Sequence, residues 1–481
     1  MSARAGKLTI EDVAVPGMRG ERLQRLNDQL GWILLVIVAS SAIPLGSARP
    51  FFWALYAALA AAAALYYGIQ LERRNAALRR LPIGIPTIVG FAAVCLVLLL
   101  QCLPLAPLAE LAAAIVTAGG TTLAAPQVSL APGNTLLMLV QLLSYGLIFA
   151  LVLLVGANRH RRLRLLDGLF IVIVVHAGFA IVALTQLGDI VLIFPKWAYQ
   201  GVATGTFVNR NSFATYLAMG LALGTGLTLD ELVYRSRTDR LSRAKERGRP
   251  ARSLVLHVVG LLIVMAGLLA TQSRMGIAAG AVGALVVAVP LIIALPLSRA
   301  WRFVAGLLAI AAVAGLLSTF GQGFLERLGS LEASADVRMD LYRQVLEMIG
   351  ARPWFGYGGG AFEVAFPLFH QLPVSPDLVW DKAHNTYLAL WAELGVIAGT
   401  IPILLLLGFA VRLVAGSFNT VDRLAQLTAL GALVAAGAHS FVDFSLEIEA
   451  NTLLLLMLVA LGLAAATSNT SSRPSGALAE K

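Results

Sequence analysis

The chain holds 481 residues, 58% of them hydrophobic and only 13% charged, with a mean hydropathy of +0.82 and a formal charge of +10. A soluble domain carries about 25% charged residues, so the composition excludes an ordinary globular protein. The sequence contains no GxxxxGK(S/T), CxxC or HExxH, which removes the usual signatures of nucleotide hydrolysis and zinc chemistry.

Residues 1–30 are polar, with Arg4, Lys7, Arg19, Arg22 and Arg25, and hold no signal-peptide core; the first apolar run reads as an uncleaved anchor. About twelve runs follow, each near the length that crosses ~30 Å of hydrocarbon. They fall at 31–47, 51–70, 85–106, 134–156, 168–187, 211–229, 254–272, 276–297, 303–320, 385–410, 424–443 and 450–467. Cys95 and Cys102 share one run, two helical turns apart; that is about 10 Å, too far for a mutual disulfide. The expected fold is an all-α polytopic integral membrane protein. It divides into a cytoplasmic segment (1–30), spans one to nine (31–320), an outer loop forming a small helical cap (321–384), spans ten to twelve (385–467) and a cytoplasmic tail (468–481).

The links "ERRNAALRR", "NRHRRLRLL" and "YRSRTDRLSRAKERGRPAR" all lie on one side if the N-terminus is cytoplasmic. That side then holds 27 of the 36 Lys and Arg, which by the positive-inside rule predicts N-in, C-in orientation. The positive charge thus reports topology rather than nucleic-acid binding. The basic stretch 235–252, without interleaved aromatics, reads as a solvated loop near anionic headgroups.

The same alternation places 188–210, 271–275, 321–384 and 443–449 outside, where the unusual polar residues gather. Arg210, between two asparagines where loop becomes helix, suits an anion: its fork matches phosphate oxygens and the helix start adds positive charge. Equally, it could be an interfacial anchor. Arg274, in a tight hairpin at the bilayer boundary, has the same two readings; together the arginines could clamp a diphosphate without a metal. The outer acids Asp336, Asp340, Asp377 and Asp381 show no ligand spacing, so neither a divalent cation nor another cofactor is expected.

In the outer loop, Val337, Leu341, Val345 and Met348 recur at helical spacing opposite Asp336, Asp340, Arg343 and Glu347, which predicts an amphipathic helix ended by Arg352-Pro353. The glycines at 356 and 358–360 suit either a ligand or plain tight turns. His384 follows; an imidazole can take a proton from a sugar hydroxyl at neutral pH, or it can cap a helix. Asn385 reads as the helix cap or a sugar contact, and Asp381 could orient the imidazole if the turn between them is helical. His439 and Asp443 are i and i+4, on one helix face, either paired structurally or lining a site. Glu393, inside the tenth run, is an intramembrane acid, with Asn, Ser or backbone partners as the structural alternative. His176, mid-span, reads as a packing residue.

With these residues assembled, the chain resembles the O-antigen ligase and O-antigen polymerase superfamily. The similarity is carried by "GTFVNRNSFATYL", "SRMG", "RMDLYRQVLEMIGARPWFGYGGGAF" running into "AHNTYLALWAELGVIAG", and "HSFVDF". The resemblance implies a metal-independent membrane glycosyltransferase of the helical C type, taking a glycan from an undecaprenyl-diphosphate carrier on the periplasmic side of the bacterial inner membrane. The acceptor would be lipid A–core, another lipid-linked repeat, or protein. It implies His384 as the base, Arg210 and Arg274 as diphosphate ligands, and Arg338 as a contact to glycan or carrier. Displacement opposite the leaving group would invert the anomeric centre. The rival is a polysaccharide transporter or lipid flippase using Glu393 and His176 as proton relays, although no inverted repeat or matched pair of broken helices is evident.

Overall fold

The computed structural model describes residues 16–104, 127–237, 253–295, 328–418 and 422–468, together with 115–116, 122–123, 298, 300 and 307. The helices in chain order are α1 (Pro16–Ser41), α2 (Pro50–Glu72), α3 (Ile85–Cys102), α4 (Pro132–Gly156), α5 (Arg159–Thr185), α6 (Arg210–Arg237), α7 (Ser253–Ala270), α8 (Arg274–Ala294), α9 (Leu328–Ala351), the short α10 (Phe362–Ala365), α11 (Thr386–Leu394), α12 (Val396–Ser417), α13 (Arg423–His439) and α14 (Glu449–Ser468). Two antiparallel pairs of two residues each are the named strands: β1 (Ile115–Val116) with β2 (Thr122–Leu123), and β3 (Ile190–Val191) with β4 (Phe194–Pro195).

Among the described residues, eight helices are long and apolar enough to cross a membrane: α2, α3, α4, α5, α6, α8, α12 and α14; α7 contributes a shorter apolar stretch, Leu254–Ala270. The all-helical membrane class is therefore borne out. The run expected at 303–320 lies outside the described residues except for residue 307, as does most of the basic stretch 235–252.

Helices α6 and α14 form the centre, with 89% and 83% of their apolar windows buried, against 22%, 17% and 22% for α2, α3 and α12 at the periphery. Close packing without a hydrophobic drive between helices needs small residues at the crossings. At one such crossing the backbones of α8 and α13 touch: a Cβ on Gly283 would lie 2.6 Å from the Gly431 carbonyl oxygen, and one on Gly431 would lie 2.6 Å from that of Gly283. Outward-facing residues such as Leu65, Ile171, Val175 and Leu404 stay exposed, as contact with lipid requires.

Hydrogen bonds show which helix ends share a face. Thr206 Oγ1 donates to the Ala42 carbonyl (2.6 Å), Ala450 N–H to Gly46 (3.2 Å), Ala203 N–H to Ala270 (2.8 Å), and Asn134 Nδ2 to Gly360 (3.2 Å). At the opposite end Asp422 pairs with Arg159 (3.0 Å) and with the buried Arg162 (2.7 Å), Asp28 pairs with Arg161 (2.7 Å), and Arg412 reaches the Pro82 carbonyl (2.8 Å). This division follows the alternation read from the sequence.

Two expected helices are corrected. The run 385–410 is not one helix: it breaks at Gly395, whose φ is +80°. Segment 353–358 packs into the break. Val396 N–H donates to the Pro353 carbonyl (2.7 Å) and Gly358 N–H to the Glu393 carbonyl (3.0 Å), while a Cβ on residue 395 would lie 2.2 Å from the Trp354 oxygen. Irregular backbone among transmembrane helices persists where protein satisfies it, and here the outer segment does so. The run 424–443 stops at His439, and residues 440–444 turn away from the helix.

The amphipathic helix expected in the outer loop is α9. Its Leu341, Val345 and Met348 are buried, and with Tyr357, Phe362, Phe366, Leu388 and Ala392 they build a second core apart from that of the bundle.

Candidate functional site

Two helix starts lie side by side. Asn209 caps α6, its Oδ1 accepting from Asn211 N–H (2.7 Å), and leaves Arg210 as the first helical residue. Ser273 caps α8, its Oγ accepting from Gly276 N–H (3.4 Å), and leaves Arg274 first. The same Ser273 hydroxyl donates to Asn211 Oδ1 (2.8 Å), which ties the two starts together. Arg210 Nε and Arg274 Nη1 are buried without a hydrogen-bond partner among the described residues. A buried donor left unpaired costs about 1–3 kcal/mol, more when charged, a cost that an anion beside the two helix starts would relieve.

Arg338, on α9, is a third arginine at this end of the bundle. Its charge reaches His384, His439, Asp443, Tyr342 and Tyr199. Tyr199 joins the two groups. Its ring lies 6.0 Å from the Arg210 guanidinium, and its phenol is pushed up by burial and by Asp443 while Arg210 and Arg338 pull it down.

His384 has φ +51°, a left-handed conformation that a non-glycine residue holds only when its surroundings fix it. The fixing groups are visible. Tyr342 Oη donates to the His384 carbonyl (2.9 Å), and Asn385 caps α11 by accepting from Tyr387 and Leu388 N–H (3.0 and 3.1 Å) while donating to the Phe441 carbonyl (2.9 Å). The imidazole lies edge-on to Trp380 (6.0 Å between centroids) and Phe444 (5.0 Å), with Nδ1 buried and unpartnered among the described residues. Burial first, then the Arg338 charge, holds its pKa down at about 4, against a smaller opposite pull from Asp381. At neutral pH the ring is therefore uncharged and able to accept a proton.

Several expected roles change. Asp381 does not orient the imidazole through a helical turn, because 381–384 is irregular and bends at His384; the exposed carboxylate acts on His384 through its charge. His439 and Asp443 share no helix face. His439 Nδ1 is hydrogen-bonded to Thr215 Oγ1 of α6, and Asp443 accepts from Ser445 Oγ. Asp443 is fully buried with Oδ1 unpartnered, and burial raises its pKa to about 6 against the opposing Ser445 bond and Arg338 charge. Glu393 has backbone partners: Oε1 accepts from Phe362 N–H (3.3 Å), and its carbonyl accepts from Gly358 and from Gln101 Nε2 (2.9 Å). His176 is a satisfied packing residue, Nδ1 to the Val172 carbonyl (2.8 Å) and its ring on Tyr216. Both residues thus have the structural partners that the sequence offered as the alternative to a relay. The glycine-rich turn is also structural, for a Cβ on Gly358 would lie 2.2 Å from Ser129 Oγ.

The structure thus gathers Arg210, Arg274, Arg338, His384, Asn385, His439 and Asp443 at one end of the bundle. Sequence reasoning missed Tyr199, which carries no motif, Tyr342, which lies within the quoted "RMDLYRQ" stretch without being singled out, and the Lys382–Glu447 pair (2.9 Å). Tyr342 had one signal, its place one helical turn after Arg338.

Residues 259–403 match a family model described as O-antigen ligase. The superfamily resemblance carried by the motifs is borne out by that match over those residues. The matched stretch includes Arg274, Arg338 and His384, whereas Arg210, Tyr199, His439 and Asp443 lie outside it and join them through the fold. No curated protein matches the chain.

Proposed function

We propose that this O-antigen ligase-type chain is a membrane glycosyltransferase that moves a glycan from an undecaprenyl-diphosphate carrier to an acceptor hydroxyl, on lipid A–core or on another lipid-linked repeat. It acts in the bacterial inner membrane, N-in and C-in, with 321–384 as the outer cap and the site on the periplasmic side. The observation that carries this reading is the tied pair of helix starts, where Arg210 and Arg274 present unpartnered buried N–H groups at the end of the bundle that also holds an uncharged His384.

The chemistry divides between the two groups. Diphosphate is a good leaving group, so the protein has to hold its developing charge and position the nucleophile. Arg210 and Arg274 hold the phosphate oxygens. The acceptor oxygen bonds to the anomeric carbon as the carbon–oxygen bond to diphosphate breaks, and the acceptor proton passes to His384 Nδ1. The incoming diphosphate opposes the Arg338 field and so raises the basicity of His384 in part, while burial, the larger cause of its low pKa, remains. One displacement inverts the anomeric centre, and the arginines perform the electrostatic work without a divalent cation.

Purified protein with lipid-linked glycan and candidate acceptors provides the test. His384→Ala should lower turnover by about 10²–10⁴ with the melting transition retained. Normal turnover in that variant, or retained configuration in the product linkage, sinks the scheme. Transport of lipid-linked glycan without covalent product would establish the rival class.

A further inference from the structure

The loop between α5 and α6 combines a rigid frame with apolar side chains turned outward. Ile193 is 82% exposed, Phe194 55%, Trp197 60% and Leu187 47%. Beneath them the buried Lys196 pairs with Asp189 and donates to the Val202 carbonyl (2.6 Å), and Asp189 also accepts from Gly201 N–H (2.6 Å). Asp189, Leu192 and Tyr199 are all left-handed, with φ of 57°, 55° and 55°, so the loop is held in one shape rather than collapsed. The β3–β4 hairpin places Leu192 and Ile193 at its tip. Contiguous apolar exposure of this kind fits an apolar partner.

We propose that this loop is the lip against which the polyprenyl tail of the lipid-linked donor lies; the assignment rests on the transferase reading above. The tail is bonded directly to the diphosphate, so its first units must leave the arginines along apolar surface. The loop supplies such surface continuous with Arg210. Tyr199 contacts that guanidinium, and Trp197 is two residues away, at most about 7 Å along the chain. Its frame keeps the lip open to a passing chain without a cost of ordering at each turnover.

The test uses full-length protein in phospholipid nanodiscs and two donors that share one glycan diphosphate, one with a long polyprenyl tail and one whose short tail is a one- or two-carbon alkyl group that cannot reach the lip. In the combined variant Ile193→Ser, Phe194→Ser and Trp197→Ser, KM for the long-tailed donor should rise by about tenfold or more, with kcat unchanged and the short-tailed donor unaffected. An equal rise for both donors, or none for either, overturns the lip and leaves the loop a bilayer anchor. A long-tailed polyprenyl diphosphate carrying a photoreactive tail gives a readout independent of turnover. Labelling within 192–199 upholds the lip, and labelling elsewhere or not at all overturns it. Failure of the wild type to convert either donor would instead bring down the transferase reading, and the photolabel alone would then decide the lip.

Discussion

Arginines stand at both ends of the bundle, and their surroundings could hardly differ more. At one end Arg159, Arg161 and Arg162 are matched by Asp28 and Asp422, and Arg162 is almost wholly buried in its pair. At the other, Arg210 and Arg274 begin adjacent helices with N–H groups that nothing in the described protein satisfies. The first set holds α1, α5 and α13 together. In the second, Arg210 meets the Tyr199 ring, while Arg210 Nε and Arg274 Nη1 have no acceptor among the described residues. Residue type and helix position are alike at the two ends, so the presence or absence of a carboxylate partner is what separates scaffold from site.

The sharpest break in that comparison is the double variant Arg210→Ala, Arg274→Ala. Removal of one such donor commonly costs about 10²–10³ in turnover, so the pair should lose at least about 10³, with thermal stability unchanged or raised. A fall in stability to match the lost activity would make them scaffold. Arg162→Ala should behave in the opposite sense. It leaves Asp422 buried without its closest partner, at a cost of about 3–5 kcal/mol in stability, and turnover per folded molecule should persist. Asn385→Ala removes the α11 cap for about 0.5–2 kcal/mol and should also lower turnover, since the same residue fixes the backbone next to His384. A denaturation series with an activity assay reads both quantities.

The smallest effect is on pH. His384 in the folded protein titrates at about 4, below its ordinary 6.5. Between those values the unfolded chain binds a proton that the folded chain refuses, so this residue contributes stability that is lost as pH falls from 6.5 toward 4. Asp443, raised to about 6 from 3.8, acts in the contrary direction over nearly the same interval. His384→Gln should therefore make the protein less sensitive to acid between pH 6.5 and 4, measured by melting temperature. An unchanged profile would show that the imidazole is not held neutral by the fold.

Much of the molecule is legible in its sequence. In an apolar chain, charged residues at run boundaries stand out, so residue type and position single out Arg210, Arg274 and His384, whereas Arg338 enters only through the family resemblance. What cannot be read there depends on distant chain. The break at Gly395 exists because Pro353 and Trp354 occupy the gap, about forty residues upstream in sequence. The helical pairing expected of His439 and Asp443 fails because α13 ends where Thr215, from another helix, takes the histidine. Tyr199 comes to the site by a left-handed turn with no sequence signature. Local pattern reports where helices are; the interruptions belong to tertiary contacts.

The mutual backbone contact of Gly283 and Gly431 has a mechanical consequence. Arg274 rides on α8 and His439 closes α13, so the two helices cannot slide past each other without forcing a carbonyl into a neighbouring α-carbon. Groups more than a hundred residues apart in the chain are thereby locked into one body, and α6 is drawn into it through Thr215 and Asn211. Arg274 therefore keeps a fixed position relative to His439 and to the start of α6.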